Sequence, residues 1–452
     1  MELTERKPLL FTNKMLAAIV IPEILSGVLA IVAGLVDSVM VSAAGEAAVS
    51  ADSLVDTVNL LFITAFTGMA NGGSVITSQY VGSRNYEKAR ISANQLLYLA
   101  TAVATGLMAV LLCFREPVLR LVYGQLEQDV FQNAVTYFWI TLLGFPFFAM
   151  GASSTAVLRS VGKNRQAVST AIAYNVLNVI GNAILIYGFH MGVAGAAIST
   201  TVSRVIYAAI GLWFAHNKSL QAHFEDVLKF RLDHDILRRV FRIGIANGTE
   251  NSLFHVGKVL ISGLLATFGT AAIAAYSASY TINNIGWVIV SAFSTVMLPV
   301  VGQCVGAGEV KQAKLNMKKL VGAATVVLAV LFTGIYFLRG SLVHLYDFEA
   351  ETLKLAAYYT GVGAIASLVS LYSFSFVPAS GFRAAGDIRF TMIFSSACMF
   401  VFRVGFSFVA YWIKPELGPL CIYIGMWADW FVRTVVNIIR YRSGKWIHKR
   451  LV

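Results

Sequence analysis

The fold is decided by a segment that the chain contains twice. It reads Gln79-Tyr-Val-Gly-Ser-Arg-Asn-Tyr-Glu-Lys-Ala89 at its first occurrence and Gln303-Cys-Val-Gly-Ala-Gly-Glu-Val-Lys-Gln-Ala313 at its second, 224 residues later. The same offset relates Leu158-Arg-Ser-Val-Gly-Lys-Asn-Arg165 to Phe382-Arg-Ala-Ala-Gly-Asp-Ile-Arg389. Chance matches would not keep one register over separated stretches, so the sequence predicts two copies of one half.

The composition is that of a membrane protein. Of the 452 residues, 57% are hydrophobic and only 13% are charged, and the mean hydropathy is +0.71. Apolar stretches of about 20 residues, enough to cross about 30 Å of hydrocarbon, recur along the chain. We therefore predict an all-α polytopic membrane protein with twelve transmembrane helices, arranged as two six-helix repeats. The predicted spans, numbered 1 to 12, lie near residues 14–43, 53–80, 91–113, 134–157, 166–188, 193–214, 240–268, 276–304, 317–338, 354–379, 389–412 and 418–440.

The repeat also predicts the domain organisation. We expect an N-terminal six-helix lobe over 1–214, a cytoplasmic linker over 215–239, and a C-terminal six-helix lobe with a cytoplasmic tail over 240–452. Doubled halves are the usual architecture of secondary transporters, in which the substrate path lies between the copies.

Basic residues predict the orientation in the membrane. Most Lys and Arg residues lie in the termini, in the linker and in the loops that follow the even-numbered spans. The opposite side holds only Arg115, Arg120, Arg339, Lys354 and Lys414. The basic side is cytoplasmic, so both termini are predicted to lie inside. This bias explains the net charge of +12 without a nucleic-acid partner.

Signatures of catalysis or cofactor binding are absent from the sequence. The four cysteines are scattered without metal-ligand spacing, and we find neither a phosphate-binding Gly-rich loop nor an HExxH motif. No segment could form the nucleotide-binding domain of an ATP-driven pump. A membrane-embedded enzyme would need a clustered nucleophile, base or metal set, so we predict that the chain is not an enzyme and has no cofactor.

Asp37 is the strongest single candidate for function. It lies among apolar residues in the outer half of span 1, where a charge costs about 2.5–3.5 kcal/mol on insertion scales. Such a carboxylate is suited to bind a cation, Na⁺ included, or to take up a proton. The alternative is a structural salt bridge to a distant basic residue. Span 5 carries Asn175, Asn178 and Asn182 on one face. Their oxygens could bind an alkali cation, or their amides could link helices by hydrogen bonds.

A second candidate surface lies on span 7. Glu250, Phe254 and Lys258 recur every four residues and line one side of it, which we interpret as part of a substrate cavity. A buried acid beside an aromatic wall suits amphipathic organic cations. Four further charged residues are interpreted as structural ion pairs between helices, namely Arg204, Arg403, Asp429 and Arg433.

Several phrases together resemble the multidrug and toxic compound extrusion (MATE) transporters of bacteria. They include Asn178-Val-Ile-Gly-Asn182, Gly192-Val-Ala-Gly-Ala-Ala-Ile-Ser-Thr200 and the ending Asp429-Trp-x-x-Arg433…Arg440-Tyr-x-Ser-Gly-Lys-Trp446. The resemblance covers essentially the whole chain. It implies a V-shaped pair of six-helix lobes and a monomer in the bacterial inner membrane. It also implies export of organic small molecules by alternating access, in exchange for inward H⁺ or Na⁺.

The resemblance further implies a cation pocket in the N-terminal lobe. Asp37, Asn178 and Thr200 match the family's pattern there. The family's second acid of this pocket falls at Asn182, so one carboxylate is missing from span 5. The alternative function is a lipid-linked oligosaccharide flippase of related fold, which would use Lys258, Arg204 and Arg403 to hold a pyrophosphate. A major facilitator transporter would need a different loop between spans 2 and 3.

Overall fold

The protein is helical throughout the part that the structure describes. This computed structural model describes residues 9–124, 127–227, 229, 231–447, 449 and 451–452, and every regular element within them is a helix. The α-helices are α1 (Asn13–Ser42), α2 (Glu46–Gly82), α3 (Tyr86–Cys113), α4 (Arg115–Tyr123), α5 (Gln128–Leu143), α6 (Phe145–Ser160), α7 (Asn164–Asn182), α8 (Gly192–Ala215), α9 (His234–Leu265), α10 (Thr270–Asn283), α11 (Ile285–Gly306), α12 (Val310–Val343), α13 (Ala350–Val369), α14 (Tyr372–Ala384), α15 (Ile388–Ala397), α16 (Phe406–Ile413) and α17 (Leu420–Ser443). Two π-helical segments, Ala183–Gly188 and Cys398–Gly405, extend α7 and join α15 to α16.

The helices account for all twelve predicted spans. Ten helical runs among the described residues are long and apolar enough to cross a membrane. The bent pair α5 and α6, which meet at 45°, is the eleventh. The twelfth predicted span, 418–440, coincides with α17, which is 24 residues long. Asp429 and Arg433 in the middle of α17 lower its average hydropathy below that of the other spans.

Helix boundaries repeat at the offset found in the sequence. The helix α2 covers Glu46–Gly82, and the run from α10 to α11 covers Thr270–Gly306. Both boundaries differ by 224 residues. The starts of α3 and α12, at Tyr86 and Val310, are related in the same way. The repeated Gly-containing turns thus end and begin the same helices in both halves.

The chain forms two compact units whose limits fall inside helices. One unit is Leu25–Ser252, and the other is Leu253–Val452 together with the described residues before Leu25. The helices α1 and α9 therefore each contribute to both units. The boundaries predicted from the sequence, 1–214, 215–239 and 240–452, stay a prediction.

Small residues let α7 and α8 approach closely within the first unit. A Cβ atom built at Gly181 would collide with the Ser199 hydroxyl. Glycine at this position therefore brings the polar face of α7 directly against α8.

The C-terminal tail is anchored to the loop between α14 and α15. The Asp387 carboxylate is fully buried and accepts hydrogen bonds from Arg440 Nε at 2.7 Å and Lys449 Nζ at 2.6 Å. Trp446 is buried against the Phe382 ring, with centroids 5.6 Å apart. Gly386 has a φ of +97°, and a Cβ there would collide with the Lys449 carbonyl oxygen. This loop and the tail thus form one packed unit.

Candidate functional site

Three carboxylates meet where α1 turns back into α2. The connecting turn is short, because α1 ends at Ser42 and α2 begins at Glu46. Asp37, near the end of α1, therefore faces the first turns of α2. Asp52 and Asp56 are one helical turn apart on α2 and share a face. One oxygen from each of the three carboxylates lies within 4.8 Å of the others. We call these three residues the carboxylate cluster.

Polar side chains from two other helices contact the carboxylate cluster. The Asn182 amide, at the end of α7, donates a hydrogen bond to Asp37 Oδ1. The Tyr137 hydroxyl, on α5, donates to Asp56 Oδ1 at 3.2 Å. Asp52 and Tyr137 are buried, Asp37 is half-buried and Asp56 is exposed. The site therefore opens on the Asp56 side and is closed behind Asp52.

Several oxygens around the cluster have no hydrogen-bond donor. Asp52 Oδ1, Asn59 Oδ1 and Asn182 Oδ1 are all buried and accept no hydrogen bond from any described residue. A buried polar atom without a partner carries a desolvation cost of about 1–3 kcal/mol. Carboxylate and amide oxygens are the ligands that hard cations use. These orphan oxygens are therefore of the type that a cation would satisfy.

Repulsion among the three carboxylates also favours a bound cation or proton. Two ionised carboxylates 4.8 Å apart repel each other by roughly 3–4 kcal/mol at an effective dielectric constant of 20. The group is thus stable only with compensating positive charge, supplied by protons or by a bound cation. Arg204 acts on Asp56 over a distance longer than a salt bridge, so its compensation is partial.

The residues predicted for the cation pocket lie in two hydrogen-bonded pairs. Asn182 pairs with Asp37, as described above. The Asn178 amide donates to Thr200 Oγ1 at 3.1 Å, and the Ser199 hydroxyl donates to the Asn178 carbonyl at 2.8 Å. The close approach of α7 and α8 at Gly181 makes this second pair possible. Their role in ion coupling stays a prediction.

The structure gives Arg204 a partner that the sequence did not indicate. Its guanidinium donates to the Thr141 carbonyl at 2.8 Å and lies 5.7 Å from the Phe145 ring centroid. No carboxylate of the described ranges lies within 4.0 Å of it. Arg204 thus ties α8 to α5 through the main chain, because a buried guanidinium can use a carbonyl oxygen as its acceptor.

The other three predicted ion-pair residues form one buried triad. Asp429 is fully buried. Its Oδ1 accepts a hydrogen bond from Arg433 Nε at 2.6 Å, and its Oδ2 forms an ion pair with Arg403 Nη2 at 2.9 Å. Arg433 is one turn away on α17, whereas Arg403 comes from the π-helical segment between α15 and α16. One carboxylate is therefore shared by two guanidinium groups.

The second unit contains a cavity with aromatic walls. Its open space measures about 480 Å³, including the part open to solvent. Its wall includes four aromatic residues and two basic ones, namely Phe254, Trp287, Phe376, Trp430, Lys258 and Arg403. We call this space the aromatic cavity. Lys258 Nζ lies 5.3 Å from the centroid of Phe254, and Arg403 Cζ lies 5.2 Å from the same centroid.

Only part of the predicted substrate face lines the aromatic cavity. Phe254 and Lys258 do so, but Glu250 does not. Glu250 is half-buried on α9 and has a partner of its own. Asn175 is half-buried on α7, in the other unit. The assignment of these residues to substrate binding stays a prediction.

Sequence reasoning missed Asp52 and Asp56. The predicted span 2 began at residue 53, so Asp52 fell in a loop and the pair was not seen as one helical face. The helix begins at Glu46 instead. The signal available in the sequence is a pair of acids four residues apart, which share one helical face.

Comparison with known proteins places the chain in a family. The family model described as MatE matches residues 22–184 and 244–409, one segment in each half. The chain belongs to the MatE family. Members of this family are membrane transporters, which confirms the predictions of family and of a transporter rather than an enzyme.

Individual relatives match along nearly the whole chain. An uncharacterised transporter of Bacillus subtilis, YisQ, is 26% identical over 429 residues, which cover 92% of this chain and 91% of YisQ. A probable multidrug resistance protein of Thermotoga maritima, NorM, is 23% identical over 97% of this chain and 94% of its own length. A solved outward-facing structure of a multidrug resistance MATE family transporter has a TM-score of 0.87, at 20% identity and 95% coverage of both chains. The prediction of an all-α, twelve-helix membrane fold is confirmed.

Proposed function

We propose that this MatE family transporter exports organic small molecules in exchange for an inward flow of H⁺ or Na⁺. The observation that carries the proposal is the carboxylate cluster of Asp37, Asp52 and Asp56 with its orphan buried oxygens. Such a group binds a cation or protons from one side of the membrane and must release them when its surroundings change. The multidrug resistance name of the Thermotoga maritima relative supports export as the direction of transport.

Asp37 is the residue that we assign to coupling. It joins the acids of α2 to the amide of α7, because Asn182 donates to it while Asp52 and Asp56 face it. A cation bound there would be held by carboxylate oxygens, and Asn182 Oδ1 could turn to it as a further ligand. Neutralisation of Asp37 would replace the charged acceptor of the Asn182 hydrogen bond by a neutral one. The contact between α1 and α7 would change as a result.

The acids of α2 account for the carboxylate that span 5 lacks. The family pattern expects a second acid where this chain has Asn182. Asp52 and Asp56 supply two acids from the neighbouring helix, at the same place in the unit. We infer that α2, rather than α7, supplies the further negative charge of the pocket in this chain.

The substrate class is proposed only as organic small molecules. The expectation of amphipathic cations rests on Glu250 beside an aromatic wall. Glu250 is not among the residues of the aromatic cavity, whose charged members are Lys258 and Arg403. The flippase alternative finds support in the same basic residues, but the named relatives are drug exporters or transporters, so we do not favour it. We further propose a monomer in the bacterial inner membrane, with both termini cytoplasmic.

Transport in proteoliposomes tests the coupling proposal. An imposed Na⁺ or H⁺ gradient should drive the movement of ethidium, a cationic dye, or of carboxyfluorescein, an anionic dye. Asp37→Asn should abolish gradient-driven transport of either dye while the amount of inserted protein stays the same. Glu46→Gln is the matched control, because Glu46 is an exposed acid on α2 outside the cluster. Full activity in Asp37→Asn would end the proposal.

A further inference from the structure

We propose that the aromatic cavity binds an aromatic carboxylate, with the acid group held between Lys258 and Arg403. The inference rests on the proposed function, because it names the substrate class of that transporter. It reverses the charge preference expected from the sequence.

Donors in the cavity wall lack acceptors. Arg403 Nε and Trp430 Nε1 are buried and donate to no residue in the described ranges. Lys258 Nζ has no carboxylate of the described residues within 4.0 Å, and it lies 5.3 and 5.8 Å from the centroids of the Phe254 and Tyr280 rings. Three residues that line the cavity thus carry N–H groups without an acceptor. A ligand acceptor there would remove the cost of leaving them unpaired.

The charge of the wall selects an anion as that acceptor. Among the described residues, Lys258 and Arg403 are the charged side chains that line the cavity, and no carboxylate from this set lines it. Asp429 pairs with Arg403 from behind but is shared with Arg433. The one carboxylate thus offsets the charge of its two guanidinium partners only in part, and Lys258 adds a further positive charge to the wall. An organic cation would meet repulsion here, whereas a carboxylate would form charge-assisted hydrogen bonds.

The rest of the wall suits a flat ring. Phe254 and Trp287 stack with centroids 6.3 Å apart and an interplanar angle of 11°. Phe376 meets the edge of Trp287 at 5.3 Å and 89°. Rings in these orientations offer both faces and edges to an aromatic ligand. One buried acceptor, Asn283 Oδ1, is also unpaired, so a hydroxyl group on the ring would find a partner.

Phe254 sets the spacing between the two cations. Lys258 and Arg403 each lie over its ring, at 5.3 and 5.2 Å from the centroid. The ring attracts both positive groups without neutralising them. Both cations therefore border the same part of the aromatic cavity.

Binding of three naphthalene derivatives tests the inference. The full-length protein in lipid nanodiscs is equilibrated with radiolabelled 1-naphthoate, 1-naphthamide or 1-naphthylmethylammonium, which differ mainly in charge. Naphthoate should bind at least about tenfold more tightly than either of the others, a difference of about 1.4 kcal/mol.

Variants of Lys258 test whether this residue causes the preference for naphthoate. Lys258→Met keeps an unbranched side chain but removes the charge. It should weaken naphthoate binding by about tenfold while it changes naphthamide binding by less than about twofold. Lys258→Arg should keep the preference for naphthoate. Lys414→Met, which removes a positive charge outside the cavity, is the control and should change nothing. The inference is overturned if the ammonium compound binds most tightly, or if Lys258→Met weakens all three compounds equally.

The two proposals can fail separately. Loss of the naphthoate preference, with Asp37-dependent dye transport intact, overturns the inference alone. A naphthoate preference that depends on Lys258, without any Asp37-dependent transport, overturns the coupling proposal alone.

Discussion

Replacement of Asp52 by Asn changes the charge of the carboxylate cluster with little change in shape. The side chain is buried, and its Oδ1 has no donor in the described part of the chain. Each carboxylate pair within 4.8 Å interacts with an energy of roughly 3–4 kcal/mol at an effective dielectric constant of 20. The attraction of one carboxylate for a bound monovalent cation is of similar size. Relaxation of the protein and solvent screening reduce this attraction. We take the remaining contribution to cation binding as about 1.4–2.8 kcal/mol.

That energy corresponds to a ten- to hundredfold effect on cation binding. We expect Asp52→Asn to raise the Na⁺ or H⁺ concentration for half-maximal dye transport by about ten- to hundredfold. The maximal rate should change little, because Asp37 is still present to couple the movement. The assay is dye transport in proteoliposomes over a series of cation gradients. Glu46→Gln, at the start of α2, is the control and should leave the concentration dependence unchanged.

Two outcomes would contradict this reasoning. One is an unchanged concentration dependence in Asp52→Asn, which would show that the acids of α2 do not share the cation. The other is an equal shift in Glu46→Gln, which would indicate a general surface-charge effect. A loss of all transport in Asp52→Asn, with normal insertion, would assign the coupling role to Asp52 rather than to Asp37.

Three further perturbations test other parts of the molecule. Asp387→Asn should destabilise the purified protein by about 3 kcal/mol, because it leaves two basic partners without their buried carboxylate; thermal unfolding measures this, and Asp226→Asn, in an exposed pair with Lys229, should not alter the midpoint. Gly181→Val should lower both folded yield and transport, since any Cβ at that position collides with α8; normal yield would contradict the close approach. Reporter fusions after residue 216 should read cytoplasmic and those near residue 190 external, and the reverse pattern would refute the orientation.

The sequence predicted the helices well because their determinants are local. Apolar length and the repeated turns located twelve spans, and the 224-residue offset recurs in the helix boundaries of α2 and α3. The start of α2 was placed too late, because Ser50, Asp52 and Ser53 look like a polar loop. Burial of Asp52 depends on tertiary packing, which composition does not reveal.

The candidate sites were predictable in part. Asp37 is predictable because it is the acid in the outer half of span 1, and Asn182 because it lies on a face of three asparagines. That Asp37 and Asn182 touch could not be read from spacing, since they are 145 residues apart. Spacing also does not show which charged residue of α9 lines the aromatic cavity. Glu250 shares a helical face with Lys258, but helical periodicity does not show which of the two reaches the cavity.

The buried triad of Asp429, Arg403 and Arg433 bears on how the protein enters the membrane during synthesis. The helix α17 carries an acid and a guanidinium group near its middle, each of which costs about 2.5–3.5 kcal/mol on insertion scales. Its internal pair, at 2.6 Å, lowers that cost but leaves the second oxygen of Asp429 unmet until Arg403 is near. We therefore expect α17 to enter the bilayer together with the run from α15 to α16, as a helical hairpin. Loss of Arg403 would then lower the amount of correctly inserted protein in the cell, whatever its effect on transport.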